Sequence, residues 1–164
     1  MQESPLKFGT TAIACFPDGK GFAVGSIEGR CGIKNYDMTR QDLGKDSDFA
    51  FKCHRDESAA NKCAQVFSLN AITFNKTHST FATIGADGHY FTWNKDTKSK
   101  YKSSKKFPGS LCAADFSDDG TMLCYSLGYD YSKGYEGAKN QTCPNMLILR
   151  TPDIKTEVIK PKGK

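Results

Sequence analysis

Hydrophobic and polar residues alternate along this chain in short runs, and the same succession of runs recurs. The segments Ala12–Lys34 and Ala71–Trp93 align without a gap at a spacing of 59 residues. A third, shorter copy begins 42 residues later, at Ala113. The apolar runs are rich in Thr, Phe, Ile and Tyr and are bounded by polar turns, a pattern that predicts β-strands. No segment has the sustained period of a helix.

Pairs of an acidic residue and a glycine separate the predicted strands. Such pairs favour tight hairpin turns, because Gly adopts a positive φ at little cost. The pairs are Asp18-Gly19, Glu28-Gly29, Asp87-Gly88 and Asp119-Gly120. Three or four short strands per copy are typical of a WD40-type propeller blade. The predicted fold is therefore all-β, a partial ring of about three four-stranded antiparallel blades.

The repeats also predict how the chain is organised. We expect blades near residues 6–38, 66–98 and 108–152, a long connection at 39–65 and a basic tail at 153–164. WD40 blades take roughly 40–45 residues and propellers close with about four to eight of them. Three blades are thus expected to be the C-terminal part of a larger ring. Because open blade flanks attract other edges, we expect the isolated chain to self-associate.

Composition argues for a folded protein without catalytic chemistry. Hydrophobic residues make up 38% and charged residues 25% of the chain, which argues against disorder. No run approaches the roughly 18 apolar residues of a membrane span, so no membrane insertion is expected. The seven cysteines lie in apolar runs without a C-x-x-C pair, which indicates reduced thiols in an intracellular protein. The spacing of cysteines and histidines fits no zinc site, and no nucleophile is paired with a base, so we expect no metal, cofactor or catalytic residue.

The net charge of +5 is concentrated in two lysine-rich segments. Lys95–Lys106 contains six lysines and one acidic residue, and four more lysines lie in Lys155–Lys164. Trp93 and Tyr101 lie beside and inside the first segment. Lysines close to aromatic rings can bind an acidic peptide or a nucleic-acid backbone. The alternative is that the lysines keep an exposed sheet edge soluble.

Four segments match a known family of WD40 proteins. They are GFAVGSIEGR (Gly21–Arg30), FAFKCHR (Phe49–Arg55), FATIGADGHYFTWNKD (Phe81–Asp96) and YDYSKGYE (Tyr129–Glu136). These segments resemble the poly(A) RNA export factors that associate with the nuclear pore. SIEGR followed by FKCHR is also shared with a WD40 adaptor of the mitotic spindle checkpoint, but the insertion at Tyr129–Glu136 favours the export factors.

The resemblance implies a seven-bladed propeller that acts as a docking scaffold and not as an enzyme. It implies a location at the nuclear pore and in the nucleus, and also in the cytoplasm. The expected partner is a hairpin-forming segment of an FG-repeat nucleoporin, with mRNA–protein particles or single-stranded RNA as further partners. Two alternatives stay open: a checkpoint adaptor that binds spindle or checkpoint proteins, and a module that binds single-stranded RNA directly.

The resemblance also implies a binding face of basic and aromatic residues. Carried over onto this sequence, the face consists of Arg30, Phe51, Trp93, Lys95, Lys98 and Lys100. An Arg fork suits a carboxylate or phosphate, aromatic rings anchor peptides, and lysines attract acidic partners. Two of these residues also have a purely structural interpretation, core packing for Trp93 and a salt bridge with Glu28 for Arg30.

Two positions depart from the family pattern. Asn94 stands where an Asp usually follows the Trp, and Lys34 occupies the Trp position of the first copy. We therefore expect the second blade to lose one acidic contact and the first blade to be atypical.

Overall fold

Three antiparallel sheets follow one another along the chain in the computed structural model, which describes residues 3–36, 48–56, 63–139, 143–153 and 157–158. The first sheet contains β1 (Thr10–Cys15), β2 (Gly21–Ser26), β3 (Arg30–Asn35) and β4 (Phe49–Lys52) in that order. A two-stranded ribbon of β5 (Arg55–Asp56) and β6 (Gln65–Val66) follows. The second sheet contains β7 (Leu69–Phe74), β8 (Thr80–Gly85), β9 (Tyr90–Asn94) and β10 (Ser99–Ser103). The third contains β11 (Ser110–Phe116), β12 (Leu123–Gly128) and β13 (Met146–Arg150).

The two long sequence copies fold with the same strand register. In the first sheet, Phe22 pairs with Cys15 on one side and with Lys34 on the other. The residues 59 positions later, ending at Trp93, pair in the same way in the second sheet. The first strand of each sheet also carries an irregularity at the same place, just before Ala12, Ala71 and Ala113. The prediction of repeated antiparallel blades is confirmed.

The predicted turns have the backbone that their glycines were expected to provide. Gly19, Gly29, Gly88 and Gly120 have φ angles of 67°, 65°, 74° and 70°. At Gly29 the turn also packs closely, since a Cβ atom there would collide with the carbonyl oxygen of His54. Both the positive φ and this close approach require glycine at that position.

Two apolar layers hold the three sheets face to face. The layer between the first and second sheets includes Phe16, Ile33, Leu69, Phe74 and Phe81. The layer between the second and third includes Ile84, Tyr90, Leu111, Leu123 and Tyr125. The first strands β1, β7 and β11 lie side by side, as the innermost strands of propeller blades do. The sheets are therefore three successive blades of an open ring.

The structure differs from the expected organisation in three places. Strand β4 lies inside the expected connection 39–65 and completes the first blade, because its alternating Phe residues face the second sheet. The third blade has three strands in the described part of the chain, and Glu157 bonds to Lys102 of the second blade and Arg150 of the third. A short helix, α1 (Gly134–Lys139), occupies the insertion between β12 and β13.

Parts of the expected connection and tail lie outside the described residues, namely 37–47, 57–62, 154–156 and 159–164. Within the described part of the chain, no helix has the length and apolar composition needed to cross a membrane.

The two outer flanks of the three-blade unit expose apolar side chains. Ile13, on the outer face of the first blade, is 67% exposed. Leu147 and Leu149, on the outer face of the third blade, are 75% and 66% exposed. Neither flank is covered by another blade in this structure.

Candidate partner-binding site

A pocket of about 140 Å³ lies between the outermost strand of the first blade and the central strands of the second. We call it the rim pocket. Its walls come from β4, β8, β9 and the turn after β9, and they consist of Phe49, Phe51, Lys52, Phe81, Trp93, Asn94 and Lys98. Three of the six residues predicted to bind a partner, Phe51, Trp93 and Lys98, thus lie in one cavity.

Alternation along β4 supplies the aromatic wall of the rim pocket. Successive side chains of a strand point to opposite faces, so Phe49 and Phe51 share one face. Their ring centroids are 5.9 Å apart, and the Phe51 ring lies 4.6 Å from Trp93 and 6.4 Å from Phe81. The rings form a connected apolar surface suited to an apolar side chain of a partner.

Trp93 is held in place by a chain of hydrogen bonds inside the second blade. Its Nε1–H donates to Thr83 Oγ1 over 2.9 Å, and His54 Nε2 lies 3.1 Å from the same oxygen. His54 Nδ1 lies 2.9 Å from a carboxylate oxygen of Asp87. With the imidazole proton on Nδ1, Thr83 donates to Nε2 and every member of the chain is satisfied. Trp93 is therefore both a structural residue and a wall of the rim pocket.

Positive charge lies at the mouth of the rim pocket. Lys98 Nζ sits 4.9 Å from the centroid of the Phe49 ring, a cation–π geometry. Lys98 also has a φ of 52° in the turn between β9 and β10. Asn94 accepts hydrogen bonds from the backbone N–H groups of Asp96 and Thr97 over 2.9 and 2.8 Å. The neutral amide of Asn94 thus stabilises the turn without placing a negative charge near Lys98.

Lys95 and Lys100 do not line the rim pocket. Lys95 Nζ lies 2.9 Å from an oxygen of Asp96 and 3.9 Å from an oxygen of Asp18, and 4.9 Å from the centroid of the Phe16 ring. Lys100 is the strand partner of Trp93, and its Nζ lies 5.3 Å from the centroid of the Phe91 ring. Both lysines pack onto blade surfaces beside the pocket.

Arg30 neighbours the rim pocket through its strand partner Lys52 and does not line it. The Glu28 carboxylate lies 3.7 Å from Arg30 Nε and 3.0 Å from a terminal nitrogen of Arg55. The salt bridge considered for Arg30 in the sequence is therefore present, and Glu28 interacts more closely with Arg55. Arg30 and Arg55 thus share the carboxylate of Glu28.

The corresponding groove between the second and third blades is lined differently. Lys102 occupies in the second blade the position that Phe49 occupies in the first. Lys102 pairs with Thr92, and Phe49 pairs with Ile33. Arg150 likewise occupies in the third blade the position that Trp93 occupies in the second. Arg150 pairs with Leu123, and Trp93 pairs with Phe81. Two cations thus occupy the positions that two rings hold in the rim pocket. We call this second cavity the cationic groove.

The chain fills the cationic groove with its own Glu157. The Glu157 carboxylate is fully buried and accepts hydrogen bonds from Arg150 over 2.5 and 2.7 Å and from Lys102 over 2.5 Å. Burial alone would raise the pKa of this carboxyl, but the hydrogen bonds and charges of the two cations lower it overall.

Sequence reasoning missed several residues of this region. Phe49, Phe81 and Lys52 belong to the pocket, and the alternation in the run FAFK was the signal that could have indicated Phe49. The sequence did not indicate the roles of His54 and Glu157, because Asp87 lies 33 residues from His54 and Lys102 lies 55 residues from Glu157.

Comparison with known proteins finds relatives that are named as mRNA export factors or WD40 repeat proteins. "mRNA export factor GLE2" of Chaetomium thermophilum is 44% identical, covering 82% of this chain and 36% of the relative. "Poly(A)+ RNA export protein" of Schizosaccharomyces pombe is 38% identical, covering 98% of this chain and 43% of the relative. "WD40 repeat protein poxJ" of Penicillium oxalicum is 38% identical, covering 80% and 37%. The chain thus spans about two fifths of the length of these relatives. No protein-family profile matches it.

The solved structure of U3-55K resembles the fold with a TM-score of 0.59. The structural match covers 75% of the present chain and 34% of the U3-55K chain. The sequence identity is 7%, so the likeness concerns the fold alone.

Proposed function

Because the chain belongs to the WD40-repeat proteins and is a homologue of their mRNA export factors, we propose that it is part of a docking platform for nuclear mRNA export. The platform binds partners and performs no chemistry. Its proposed place of action is the nuclear pore, with a nucleoporin segment and mRNA–protein particles as partners. The relatives named for mRNA export favour this role over that of a checkpoint adaptor.

One observation supports the docking role above the others. Two equivalent grooves separate the three blades, and Glu157 fills the cationic groove, whereas the described residues leave a pocket of about 140 Å³ in the other. An open pocket lined by rings, with cations at its mouth, matches the surfaces that anchor peptides in protein interfaces.

The lining of the rim pocket defines the guest it should accept. Phe51, Phe81 and Trp93 suit a bulky apolar side chain, and Lys98 suits an acidic residue next to it. The exposed cations should speed association more than they tighten the complex. We therefore propose a partner segment in which an apolar anchor is flanked by acidic residues.

A binding experiment tests this proposal. A fluorescein-labelled FG-nucleoporin segment is titrated with the wild-type chain, with Phe51→Ala and with Lys98→Glu. We expect Phe51→Ala to weaken binding about tenfold or more, because a buried aromatic anchor is lost. Lys98→Glu should lower the association rate and its salt dependence. Lys105→Ala is the matched control, since Lys105 belongs to the same lysine-rich run and does not line the pocket.

The outcomes separate the docking role from direct RNA binding. Unchanged affinity for Phe51→Ala, with unchanged near-ultraviolet circular dichroism, would contradict the role of the rim pocket. The RNA alternative predicts a steep loss of affinity for a labelled oligonucleotide as salt rises. It also predicts that reversing the charges of Lys98 and Lys100 weakens RNA binding while Phe51→Ala leaves it intact.

A further inference from the structure

The aromatic contacts of the rim pocket continue beyond it along the second blade. The centroid of the Phe91 ring lies 5.9 Å from that of Trp93, and the His89 ring stacks beside Phe91 with a centroid distance of 5.8 Å. With the rings of the pocket they form a connected row, which we call the ring ladder. In spatial order its members are Phe49, Phe51, Trp93, Phe91 and His89. All five residues are half-buried, so the ladder forms part of the surface between the first two blades.

The repeat shows that the fold does not require the rings beyond the pocket. The first blade has Gly32 at the position of Phe91 and Arg30 at that of His89, 59 residues earlier in the chain. The third blade has Ile148 at the position of Phe91. All three blades form the same strand pairing with these different side chains. The aromatic residues are therefore a property of the second blade, as expected of residues that bind a partner.

Two lysines give the ring ladder its charge. Lys98 Nζ lies over the Phe49 ring, and Lys100 Nζ lies over the Phe91 ring. Both lysines are exposed. An ammonium group thus covers one face of each of these two rings, whereas base stacking needs an open ring face. The ladder therefore suits a protein segment with apolar and acidic side chains better than it suits stacked bases.

Strand geometry sets the spacing of the side chains that the ring ladder can contact. Trp93 and Phe91 lie two residues apart on β9 and share one face, which separates them by roughly 6.5–7 Å along the strand. An extended guest has the same period of two residues. Two of its side chains, two positions apart, can therefore contact Trp93 and Phe91 at the same time. Lys100 is the strand partner of Trp93 and lies over Phe91, so it can meet an acidic residue beside the second contact.

We propose that the guest is an extended segment with two apolar residues two positions apart and acidic residues on either side of them. One apolar residue enters the rim pocket, and the other packs against Phe91 and His89. Phe91 selects guests that carry the second apolar residue, and Lys100 selects guests that carry the adjacent acidic residue. This inference rests on the proposed docking role of the rim pocket and adds to it a second contact, a spacing and a guest conformation.

Three fluorescein-labelled peptides test the proposal on the full chain by fluorescence anisotropy. The two-anchor peptide is Asp-Phe-Ser-Phe-Asp, whose sequence is the same in both directions. The one-anchor peptide is Asp-Phe-Ser-Ser-Asp, and the offset peptide is Asp-Phe-Ser-Ser-Phe-Asp. The wild type should bind the two-anchor peptide about tenfold more tightly than the one-anchor peptide. The offset peptide should bind only as well as the one-anchor peptide, because side chains three positions apart on an extended chain point to opposite faces.

Variants of the chain assign this preference to Phe91. Phe91→Ala should bind the two-anchor and one-anchor peptides equally, whereas Phe51→Ala should weaken both. Tyr135→Ala is the matched control and should keep the preference, because the Tyr135 ring also lies under a lysine, with Lys139 Nζ 4.6 Å from its centroid, but is outside the ladder. Lys100→Glu changes an exposed side chain and does not depend on repacking around Phe91. It should remove the preference of the wild type for the two-anchor peptide over its neutral analogue Asn-Phe-Ser-Phe-Asn.

The outcomes distinguish this inference from the proposed function. A preference for the two-anchor peptide that persists in Phe91→Ala, with unchanged near-ultraviolet circular dichroism, would overturn the second contact. If Phe51→Ala still weakened both peptides, the docking role of the rim pocket would stand. Equal binding of the two-anchor and offset peptides by the wild type would refute the extended guest. An oligouridine that displaces the two-anchor peptide from the wild type and fails to bind Phe91→Ala would assign the ladder to bases and overturn the proposal.

Discussion

At the residue scale, one hydroxyl group joins the buried interior of the second blade to a wall of the rim pocket. Thr83 Oγ1 accepts the Trp93 indole hydrogen and donates to His54 Nε2. All three side chains are buried or half-buried, so each needs its partner. The orientation of Trp93, one wall of the rim pocket, thus depends on Thr83, which does not line the pocket.

Replacing Thr83 should lower the free energy of unfolding by a measurable amount. Thr83→Val removes the hydroxyl and leaves the Trp93 N–H and His54 Nε2 without their bonds. We expect the free energy of unfolding to fall by about 1–3 kcal/mol, since buried polar groups lose their partners. Urea unfolding followed by tryptophan fluorescence measures the change.

Thr92 offers a matched control for this substitution. Its hydroxyl is buried on β9 and has no hydrogen-bond partner among the described residues. Thr92→Val should therefore leave stability unchanged or increase it. Equal losses for the two variants would show that the hydrogen-bond chain around Trp93 contributes nothing specific.

At the scale of elements, the tight turns and the segment at Glu157 depend on different physical constraints. The turn at Gly29 needs both a positive φ and space beneath the carbonyl oxygen of His54. The turn at Gly19 has a similar φ of 67° but open space around the glycine. Comparing Gly19 with Gly29 therefore distinguishes the cost of a positive φ from the cost of a steric collision.

Alanine substitution at the two glycines should reveal this difference. Gly19→Ala should cost about 1–2 kcal/mol, which is the cost of the left-handed conformation for a residue with a Cβ atom. Gly29→Ala should cost clearly more, because the first blade must also shift away from His54. Thermal unfolding of both variants checks the order, and equal costs would contradict the close approach at Gly29.

The Glu157 segment should make stability depend on pH on the acid side. The pKa of Glu157 is lower in the folded than in the unfolded chain because of the two cations, although burial opposes this. A group of this kind stabilises the fold above its unfolded pKa, and the stabilisation is lost as pH falls through the lower folded pKa. The stability difference between wild type and Glu157→Gln should therefore narrow from pH 5 towards lower pH. Urea titrations across this range provide the measurement, and a constant difference would contradict it.

How far the sequence predicts these elements depends on how local their causes are. The strands and turns of the repeats follow from alternation and from Gly dipeptides, and both are local. Strand β4 was assigned to a connection because a long polar stretch separates it from β3. Glu157 lies in a lysine-rich tail, where composition indicates exposure and not burial. Its two cations come from β10 and β13, and only the packing of the second blade on the third brings them together.

Only part of the rim pocket could be predicted from the sequence, because strands that are distant in the chain form its walls. The family resemblance identified Phe51, Trp93 and Lys98, which the structure brings into one cavity. It also placed Arg30, Lys95 and Lys100 in the binding face, and these residues lie beside the cavity instead of lining it. Their involvement in binding stays a prediction.

At the scale of the whole molecule, the open ring leaves two apolar flanks exposed. Leu147 and Leu149 stand on the outer face of the third blade, and Ile13 stands on that of the first. Large exposed apolar patches drive association. Contacts between unlike flanks can continue from copy to copy, since a head-to-tail interface need not close.

Self-association of the chain should therefore depend on these leucines. The double variant Leu147→Lys/Leu149→Lys should shift the chain from oligomers towards monomer in sedimentation velocity at micromolar concentrations. Tyr135→Lys is the control, because it changes an equally exposed residue of α1 away from the flank. A wild-type chain that stays monomeric at high concentration would contradict the prediction.

The order of strands within each blade has a consequence for biosynthesis. In all three sheets, strands that are neighbours in space are also neighbours in the chain. Contacts of short sequence separation form rapidly and need no distant partner. The strands of a blade can therefore pair as soon as the last of them has left the ribosome, whereas burial of the blade's apolar face must wait for the following blade.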